Sequence, residues 1–315
     1  MSGIALGKQG GTIMRLFMLP LLAVIAAPVF AQQGDRMLEP SSKWHLDYAD
    51  EKCRMARVFG EDDGKTVFVF EQFAPEASFS WTVAGAAVEA LRRTRDINVQ
   101  FGPGFGVFQV SQKDRMTFGE FGESLAGNGY IAPGDIGIAN AEVSTSNSAN
   151  NPAAAAPRMT LDTAHGQKID QLVLSQKGQP RTVLRLGNMA QPFKAMNDCA
   201  DNLAQSWGLN PADLKNRVTR PQWLNQANLV RSIVNRYPAK ALQMGSQAHF
   251  NLRIIVNADG SVADCALTGK TTAEGFRDMV CPLIKREGKF EPARDARGNG
   301  LKSFYTGTVR YQISS

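Results

Sequence analysis

The chain has 315 residues, of which 43% are hydrophobic and 20% charged, so it has the composition of a folded protein with room for about two domains. The formal net charge of +6 is a small excess for this length, and the one basic cluster, Arg92-Arg93-Thr94-Arg95, is interpreted as a solvated turn. Composition and charge therefore argue against extensive disorder and against a nucleic-acid-binding protein.

Residues 1–31 are typical of an export signal. Met14-Arg15 supply a short positive region, residues 16–29 are apolar, and Val29-Phe30-Ala31 form a cleavage motif. The apolar segment contains two prolines and is shorter than the about 20 residues that a membrane-spanning helix needs. We therefore expect a cleaved signal peptide and a periplasmic protein. The alternative is an uncleaved anchor in the inner membrane.

Residues 44–215, which follow a flexible start at residues 32–43, are predicted to form a β-rich domain. Apolar and polar residues alternate over many short segments separated by Gly and Pro turns. Residues 86–93 fit either a helix or a strand. The polar, small-residue segment 144–157 predicts a long flexible loop inside the domain. The predicted strands are residues 44–48, 53–59, 66–70, 78–83, 99–101, 106–110, 130–138, 159–161, 169–175 and 182–186.

A helix over residues 192–207 is predicted to close this domain. Pro192 suits a first helical turn, and Gly208 suits the position after the last one. The apolar residues between them recur at helical spacing and define one face: Phe193, Met196, Ala200, Leu203 and Trp207. Residues 216–222 are the predicted linker, and residues 223–235 are a predicted helix that opens a second domain, residues 223–315.

The last part of the chain has the most specific pattern. Tyr237-Pro238 predicts the end of a helix, and Asn257-Ala258-Asp259-Gly260 predicts a turn between two strands of a hairpin. The predicted elements follow as strands 249–256 and 261–267, a helix within 271–285, loops at 290–293 and 298–300, and a strand 304–313. The order is strand, strand, helix, strand.

This region resembles the C-terminal domain of TonB-type energy transducers. The matching features are Tyr237-Pro238, Asp259-Gly260, Phe290-Glu291-Pro292-Ala293, Gly298 and Val309-Arg310-Tyr311-Gln312-Ile313. The resemblance implies that a helix precedes a small ββαβ domain. The predicted fold class is therefore α+β, with a β-rich N-terminal domain closed by a helix and a small TonB-C-like domain after it.

The resemblance also implies that the edge of the small sheet binds a segment of an envelope or outer-membrane protein by strand addition. The candidate edge is the last strand. The candidate partner-binding residues are Tyr237, Pro238, Phe304, Tyr305, Val309 and Tyr311. The alternative is that this strand packs the core or pairs with a second copy of the chain in a homodimer.

A membrane-anchored transducer for outer-membrane transport is a further alternative, and it requires residues 16–31 to remain uncleaved. The anchors of the family carry a His in the membrane helix, whereas the first His of this chain is His45. We therefore expect that energy transduction is not the role of this chain.

The four cysteines, Cys53, Cys199, Cys265 and Cys281, are consistent with disulfides in an oxidising compartment. They allow three connectivities. We favour Cys53 with Cys199 and Cys265 with Cys281, because each bridge then stays within one domain and the second joins a strand to the helix after it. Buried free thiols are the alternative. A zinc site is disfavoured because no Cys has a second Cys or a His at ligand spacing.

Catalytic motifs are incomplete in this chain. Asp162-Thr163-Ala164 lacks the Gly of an aspartic peptidase motif and has no second copy. Gly122-Glu123-Ser124-Leu125-Ala126 departs from a nucleophile elbow at its last position. His45, His165 and His249 have no common partner. We expect no enzymatic activity, no cofactor and no metal; the alternative is a secreted hydrolase that uses the N-terminal domain.

Overall fold

The computed structural model describes residues 34–93, 95–103, 107–111, 115–132, 135–137, 160–236, 248–271 and 276–311. The described residues pack as one compact unit that mixes strands and helices, so the predicted α+β class is confirmed. The predicted signal peptide, the predicted loop at residues 144–157 and Tyr237-Pro238 lie outside the described residues.

The N-terminal region, residues 34–216, contains two sheets and a long helix. In chain order its elements are β1 (Arg36–Leu38), β2 (His45–Ala49), β3 (Lys52–Phe59), β4 (Thr66–Gln72), β5 (Ser78–Gly85), α1 (Ala86–Glu89), β6 (Ile97–Phe101), β7 (Val107–Val110), β8 (Met116–Thr117), β9 (Glu123–Ala132), β10 (Asp135–Gly137), α2 (Thr163–Gly166), β11 (Gln171–Ser175), β12 (Thr182–Arg185), α3 (Ala190–Ser206) and α4 (Pro211–Asn216). Within the described residues, one sheet has the order β10-β9-β5-β4-β3-β2 with β8 on β9, and the other has the order β1-β12-β11-β6-β7.

The two sheets and helix α3 enclose an aromatic core. Phe70 on the central strand β4 lies edge-on to Phe79 of β5, at 6.0 Å between ring centroids, and to Phe193 of α3, at 5.9 Å. The predicted apolar face of α3 supplies the rest of this contact, because Phe193, Met196 and Ala200 are all buried in the same cluster. Rings of this size bury enough apolar surface to dominate the packing energy of the region.

Strand β9 differs from its prediction. The pattern predicted one strand over residues 130–138, whereas β9 begins at Glu123 and a separate strand, β10, follows it. Gly127 and Gly129 interrupt the apolar alternation in the middle of β9. Both glycines are required by packing, because a Cβ atom at either position would overlap the ring of Trp81 or Phe79 on the neighbouring strand β5.

One further prediction in this region is wrong, one open choice is decided, and one helix was not predicted. The predicted strand 159–161 is wrong over its described residues, because the main-chain N–H and C=O of Leu161 bond the side chain of Asn197 at 2.9 and 3.0 Å. Residues 86–93, which fitted two structures, contain the four-residue helix α1. Helix α4 was not predicted, although Asn210 caps it by accepting a hydrogen bond from the N–H of Ala212.

The C-terminal region, residues 217–311, contains a small sheet and two helices. Its elements are β13 (Gln222–Trp223), α5 (Gln226–Asn235), β14 (Ala248–Val256), β15 (Val262–Thr271), α6 (Phe276–Glu287), β16 (Phe290–Glu291), β17 (Ala293–Arg294), β18 (Gly300–Leu301) and β19 (Ser303–Tyr311). The sheet has the antiparallel order β15-β14-β19. Leu252 and Ile254 of β14 pack with Val280 and Ile284 of α6 in its core.

Boundaries in this region shift from the predicted ones. Strand β15 continues to Thr271, beyond the predicted end at Leu267, and α6 is described over Phe276–Glu287. Trp223 belongs to β13 rather than to the predicted helix, because it pairs with Phe290 and stacks on its ring at 5.4 Å. Segments predicted as loops therefore include the two-residue strands β16, β17 and β18.

Two disulfides are formed, with the favoured connectivity. Cys53 of β3 is bonded to Cys199 of α3, with 6.0 Å between Cα atoms. Cys265 of β15 is bonded to Cys281 of α6, with 5.4 Å between Cα atoms. Each bridge therefore fastens a helix to the sheet on which it packs.

Candidate strand-binding edge

Strand β19 lies at an edge of the C-terminal sheet. On one side it pairs with β14 over its whole length, from Ser303 opposite Val256 to Tyr311 opposite Ala248. On its other side, no strand pairs with it among the residues that the structure describes. An unpaired strand border offers N–H and C=O groups to an added strand, so β19 is the candidate binding edge.

The first two residues of this edge are closed. Ser303 has 0% of its surface exposed and Phe304 has 2%. The Arg217 guanidinium covers both residues: its Nη1 donates to Ser303 Oγ at 2.7 Å, and its Cζ lies 4.8 Å from the centre of the Phe304 ring. The start of β19 is therefore part of the interior of the protein.

Arg217 is itself buried, with 5% of its surface exposed. Burial lowers its pKa to about 10, partly opposed by the carboxylate of Glu76, whose Oε1 lies 3.9 Å from Nη2. The side chain still carries its charge at neutral pH. Its Nε and Nη2 atoms have no hydrogen-bond partner among the described residues, so the buried cation is only partly compensated.

Trp207 contacts the edge from the N-terminal region. It follows the last residue of α3, and its ring lies edge-on to Phe304 at 6.0 Å between centroids. Arg253 of β14 places its guanidinium 4.1 Å from the centre of the Trp207 ring on the same side of the sheet. Burial lowers the pKa of Arg253, which Glu51 and Asp264 partly oppose.

We define the α3–α4 corner as Trp207-Gly208-Leu209, the segment between the two helices. Gly208 has a φ of 70°, a conformation that glycine adopts without strain, and its C=O accepts a hydrogen bond from Lys302 Nζ at 3.1 Å. Leu209 is buried in a cluster with Ile255 and Phe304. The corner thus packs directly against the start of β19.

The connector between the two regions is also bonded to the C-terminal region. The N–H of Val218 donates to the C=O of Arg294 at 2.7 Å, and the N–H of Arg294 donates to Thr219 Oγ1 at 2.9 Å. Together with Arg217, these bonds hold the connector along the hairpin that precedes β19.

Beyond Phe304 the edge opens. Thr306 is exposed, and Gly307 has no side chain that could shield the border. The ring of Tyr305 lies beside Gly307, since a Cβ atom there would be 3.1 Å from Tyr305 Cε1. Glycine inside a strand is typical of a site where another backbone approaches closely.

Tyr305 joins the edge to the core of the C-terminal region. Its ring contacts Trp223 and Phe290, each at 5.7 Å between centroids. Its hydroxyl accepts a hydrogen bond from Gln226 Nε2 at 3.4 Å, and burial raises its pKa. Tyr305 therefore holds β19 in position against the core and helix α5.

The predicted partner-binding residues differ in burial and in their place along β19. Phe304 is buried and Tyr305 is half-buried, as described above. The main chains of Val309 and Tyr311 lie in the second half of β19, where they pair with Phe250 and Ala248. Tyr237 and Pro238 lie outside the described residues. Sequence reasoning did not identify the contribution of Trp207, Arg217 and Arg253, because no local pattern marks which Arg of a chain is buried.

Residues of the incomplete catalytic motifs make structural contacts. Asp162 caps α2 by accepting a hydrogen bond from the N–H of Ala164, and its other carboxylate oxygen lies in hydrogen-bond contact with His165 Nδ1. Glu123 forms ion pairs with Arg93 and Arg115. Within the described ranges, no group of three or more His, Cys, Asp or Glu side chains is placed to hold a metal ion.

An exposed edge on a three-stranded sheet with two helices defines a small α+β domain. Residues 234–313 match the family of the Gram-negative bacterial TonB protein C-terminal domain, so the C-terminal domain of this chain is TonB-C-like. No curated protein matches the chain. Domains of this family are non-enzymatic, are associated with transport in the Gram-negative envelope and interact with outer-membrane proteins.

The match relates the C-terminal domain of this chain to the C-terminal domains of TonB-type transducers. Among the helices that the structure describes, none has both the length and the apolar composition needed to cross a membrane.

Proposed function

We propose that this chain is an exported, non-enzymatic envelope protein that binds an extended segment of a partner protein by strand addition to β19. The observation that carries the proposal is the unpaired side of β19 from Thr306 to Tyr311, within the described residues, in a TonB-C-like domain. In this mode of binding, main-chain hydrogen bonds supply affinity and neighbouring side chains supply specificity.

We also propose the domain division and the export signal that the sequence indicates. Residues 1–31 form a cleaved signal peptide, residues 44–215 the N-terminal domain, residues 216–222 a linker, and residues 223–315 the TonB-C-like domain. The predicted flexible start at residues 32–43 is not part of this proposal, because β1 pairs with β12 and Leu38 is buried in the N-terminal core. The two largest hydrophobic clusters, one in the N-terminal region and one in the C-terminal region, support this division.

The direct test is a search for a strand-forming ligand. A phage-displayed library of linear peptides is selected on the full chain with both disulfides formed, and the tightest peptide is mapped by amide hydrogen exchange. We expect the peptide to protect main-chain amides of β19 between Thr306 and Tyr311. A scrambled peptide of the same composition is the control. Protection elsewhere, with β19 unchanged, would contradict strand addition.

A matched pair of proline variants sharpens this test. Along an edge strand, successive N–H groups point alternately toward the neighbouring strand and away from it. Thr306→Pro and Gly307→Pro therefore remove groups on opposite sides. We expect one variant to be destabilised through lost pairing with β14, and the other to keep its thermal stability but lose the peptide. If the stable variant still binds the peptide as the parent does, strand addition is wrong.

The second candidate is a membrane-anchored transducer, because the matching family takes its name from the TonB protein. It requires residues 16–31 to remain in the mature chain. N-terminal sequencing of the protein recovered from a periplasmic extract distinguishes the two: a chain that begins at Gln32 supports cleaved export.

A homodimer through β19 is tested separately by sedimentation velocity. We expect a monomer, and a dimer that dissociates in the stable proline variant would assign the edge to a second copy of the chain.

A further inference from the structure

The border of β19 is not equally accessible along its length. The exposures of 0% for Ser303 and 2% for Phe304 are values for whole residues, so their main-chain atoms are covered as well as their side chains. An added strand cannot pair with covered N–H and C=O groups. At Thr306 the residue is exposed again. The accessible border thus begins within two residues of a closed one.

The residues that close the start of β19 come from the α3–α4 corner and the residue that follows α4. Trp207 packs on Phe304, the C=O of Gly208 accepts from Lys302 Nζ, and Arg217 donates to Ser303. These three contacts come from a stretch of 11 residues, Trp207 to Arg217, that ends the N-terminal region and includes the first residue after it. We call these three contacts together the wall, because they lie at the point where the open border of β19 ends.

The N-terminal region also covers one face of the C-terminal sheet. Ile255 of β14 and Phe304 of β19 are buried together with Ala204, Leu209 and Leu214 of the N-terminal region. The opposite face is covered by α5 and α6, against which the alternate residues of β14 pack. Both faces of the sheet are therefore buried at this end. An extended segment can reach this end of the sheet along the border of β19.

From this geometry we propose that the N-terminal region is part of the partner-binding site and sets the length and register of the added segment. The segment pairs with Thr306–Tyr311 only, and at the α3–α4 corner it ends or turns away. The partner is accordingly a short extended segment with a chain terminus or a turn beside the corner. This inference rests on the proposed strand addition and states which part of the chain limits it.

The experiment uses the full chain and the peptide selected by phage display. A photoreactive benzophenone residue is placed at one end of the peptide or at the other, and cross-linked products are located by mass spectrometry. We expect one end, and not the other, to cross-link to the α3–α4 corner. Amide exchange is expected to show added protection within Thr306–Tyr311 and none at Ser303 or Phe304. Residues added to the peptide at the corner end should give no gain in affinity.

Two variants remove parts of the wall. Trp207→Ala removes the ring that packs on Phe304, and Lys302→Ala removes the hydrogen bond between the corner and the residue before β19, with little change to the core. Either variant should let the lengthened peptide bind more tightly than the original peptide does. Lys285→Ala is the matched control, because Lys285 is half-exposed and pairs with Asp264 on β15, at the other edge of the sheet. The control should bind both peptides as the parent chain does.

The outcomes separate the two proposals. Protection of Thr306–Tyr311 without any cross-link to the corner, or with protection that extends to Ser303 and Phe304, overturns the wall and leaves strand addition intact. Absence of protection along the whole of β19 overturns strand addition, and the wall with it.

Discussion

The N-terminal and C-terminal regions of this protein are closed by different means. The Cys53–Cys199 bridge spans 146 residues of sequence and is buried, and it ties the early strand β3 to the long helix α3 near the end of the region. The Cys265–Cys281 bridge spans 16 residues, is partly exposed, and joins a strand to the next helix. The first bridge constrains a whole region, whereas the second stabilises a local unit.

This difference matters for the binding edge. A three-stranded sheet has a small core, and small cores need additional cross-links or neighbours. The C-terminal region has both, because its local bridge is supplemented by the packing of Trp207 and Arg217 on β19. The border that remains open is therefore held on a stable support.

The largest expected effect is the loss of the long-range bridge. Replacing Cys53 and Cys199 together by Ala should lower the free energy of unfolding by about 5 kcal/mol, since the bridge closes a loop of nearly half the chain in the unfolded state. Urea unfolding followed by circular dichroism measures this change. If the loss of this bridge lowers the free energy of unfolding by less than the loss of Cys265–Cys281 does, the long-range bridge does not constrain the N-terminal region as proposed.

Loss of the local bridge should have a smaller effect. Cys265→Ala with Cys281→Ala should cost about 3 kcal/mol, because the closed loop is short. The same pair should be reduced first by a mild thiol reductant, since its cysteines are partly exposed while Cys53 and Cys199 are buried. Alkylation of released thiols and peptide mapping give the order. If Cys53 is released before Cys265, partial exposure of the local bridge does not decide the order of reduction.

The contact between the regions is tested by Trp207→Ala. This variant removes a half-buried ring that contacts Phe304 and Arg253, and it should cost about 2 kcal/mol, below the range for a fully buried Trp. It should also divide thermal unfolding, measured by calorimetry, into two transitions, because the regions lose a shared contact. Leu224→Ala, at an exposed position, is the control and should change stability by less than about 0.5 kcal/mol. A single unshifted transition in Trp207→Ala would show that this contact does not couple the regions.

The smallest expected effect separates a structural role of Asp162 from a catalytic one. Asp162→Ala removes the cap of α2 and should cost about 1 kcal/mol. Burial alone raises the pKa of Asp162, but hydrogen bonds from His165 and from the main chain lower it overall. A lowered pKa stabilises the fold above the unfolded-state pKa of the carboxyl group, and this contribution is lost as the pH falls through the folded-state value.

The stability difference between the parent and Asp162→Ala should therefore shrink in acid, measured by urea unfolding at a series of pH values. A substrate screen that showed turnover in the parent and none in the variant would instead support the hydrolase alternative.

Local patterns predicted much of the fold. The hairpin was predicted because Asn257-Ala258-Asp259-Gly260 has turn residues between two alternating segments, and in the structure Gly260 takes a φ of 85° that few other residues adopt. Helix α3 was predicted because its apolar residues repeat at helical spacing. The start of β9 was predicted wrongly because Gly127 and Gly129 are required by packing against the rings of Trp81 and Phe79 on β5. The alternation that marks a strand is lost where packing partners decide the residue type.

The sequence by itself determined the class of fold, the hairpin and helices of the C-terminal region, and the resemblance that pointed to β19. It did so because turn residues and apolar periodicity act between near neighbours in the chain. Only the tertiary structure decided that Arg217 and Trp207 close the start of β19. Both residues lie about 90 residues from it in sequence, and burial of a charge or a ring depends on which surfaces meet after the chain has folded.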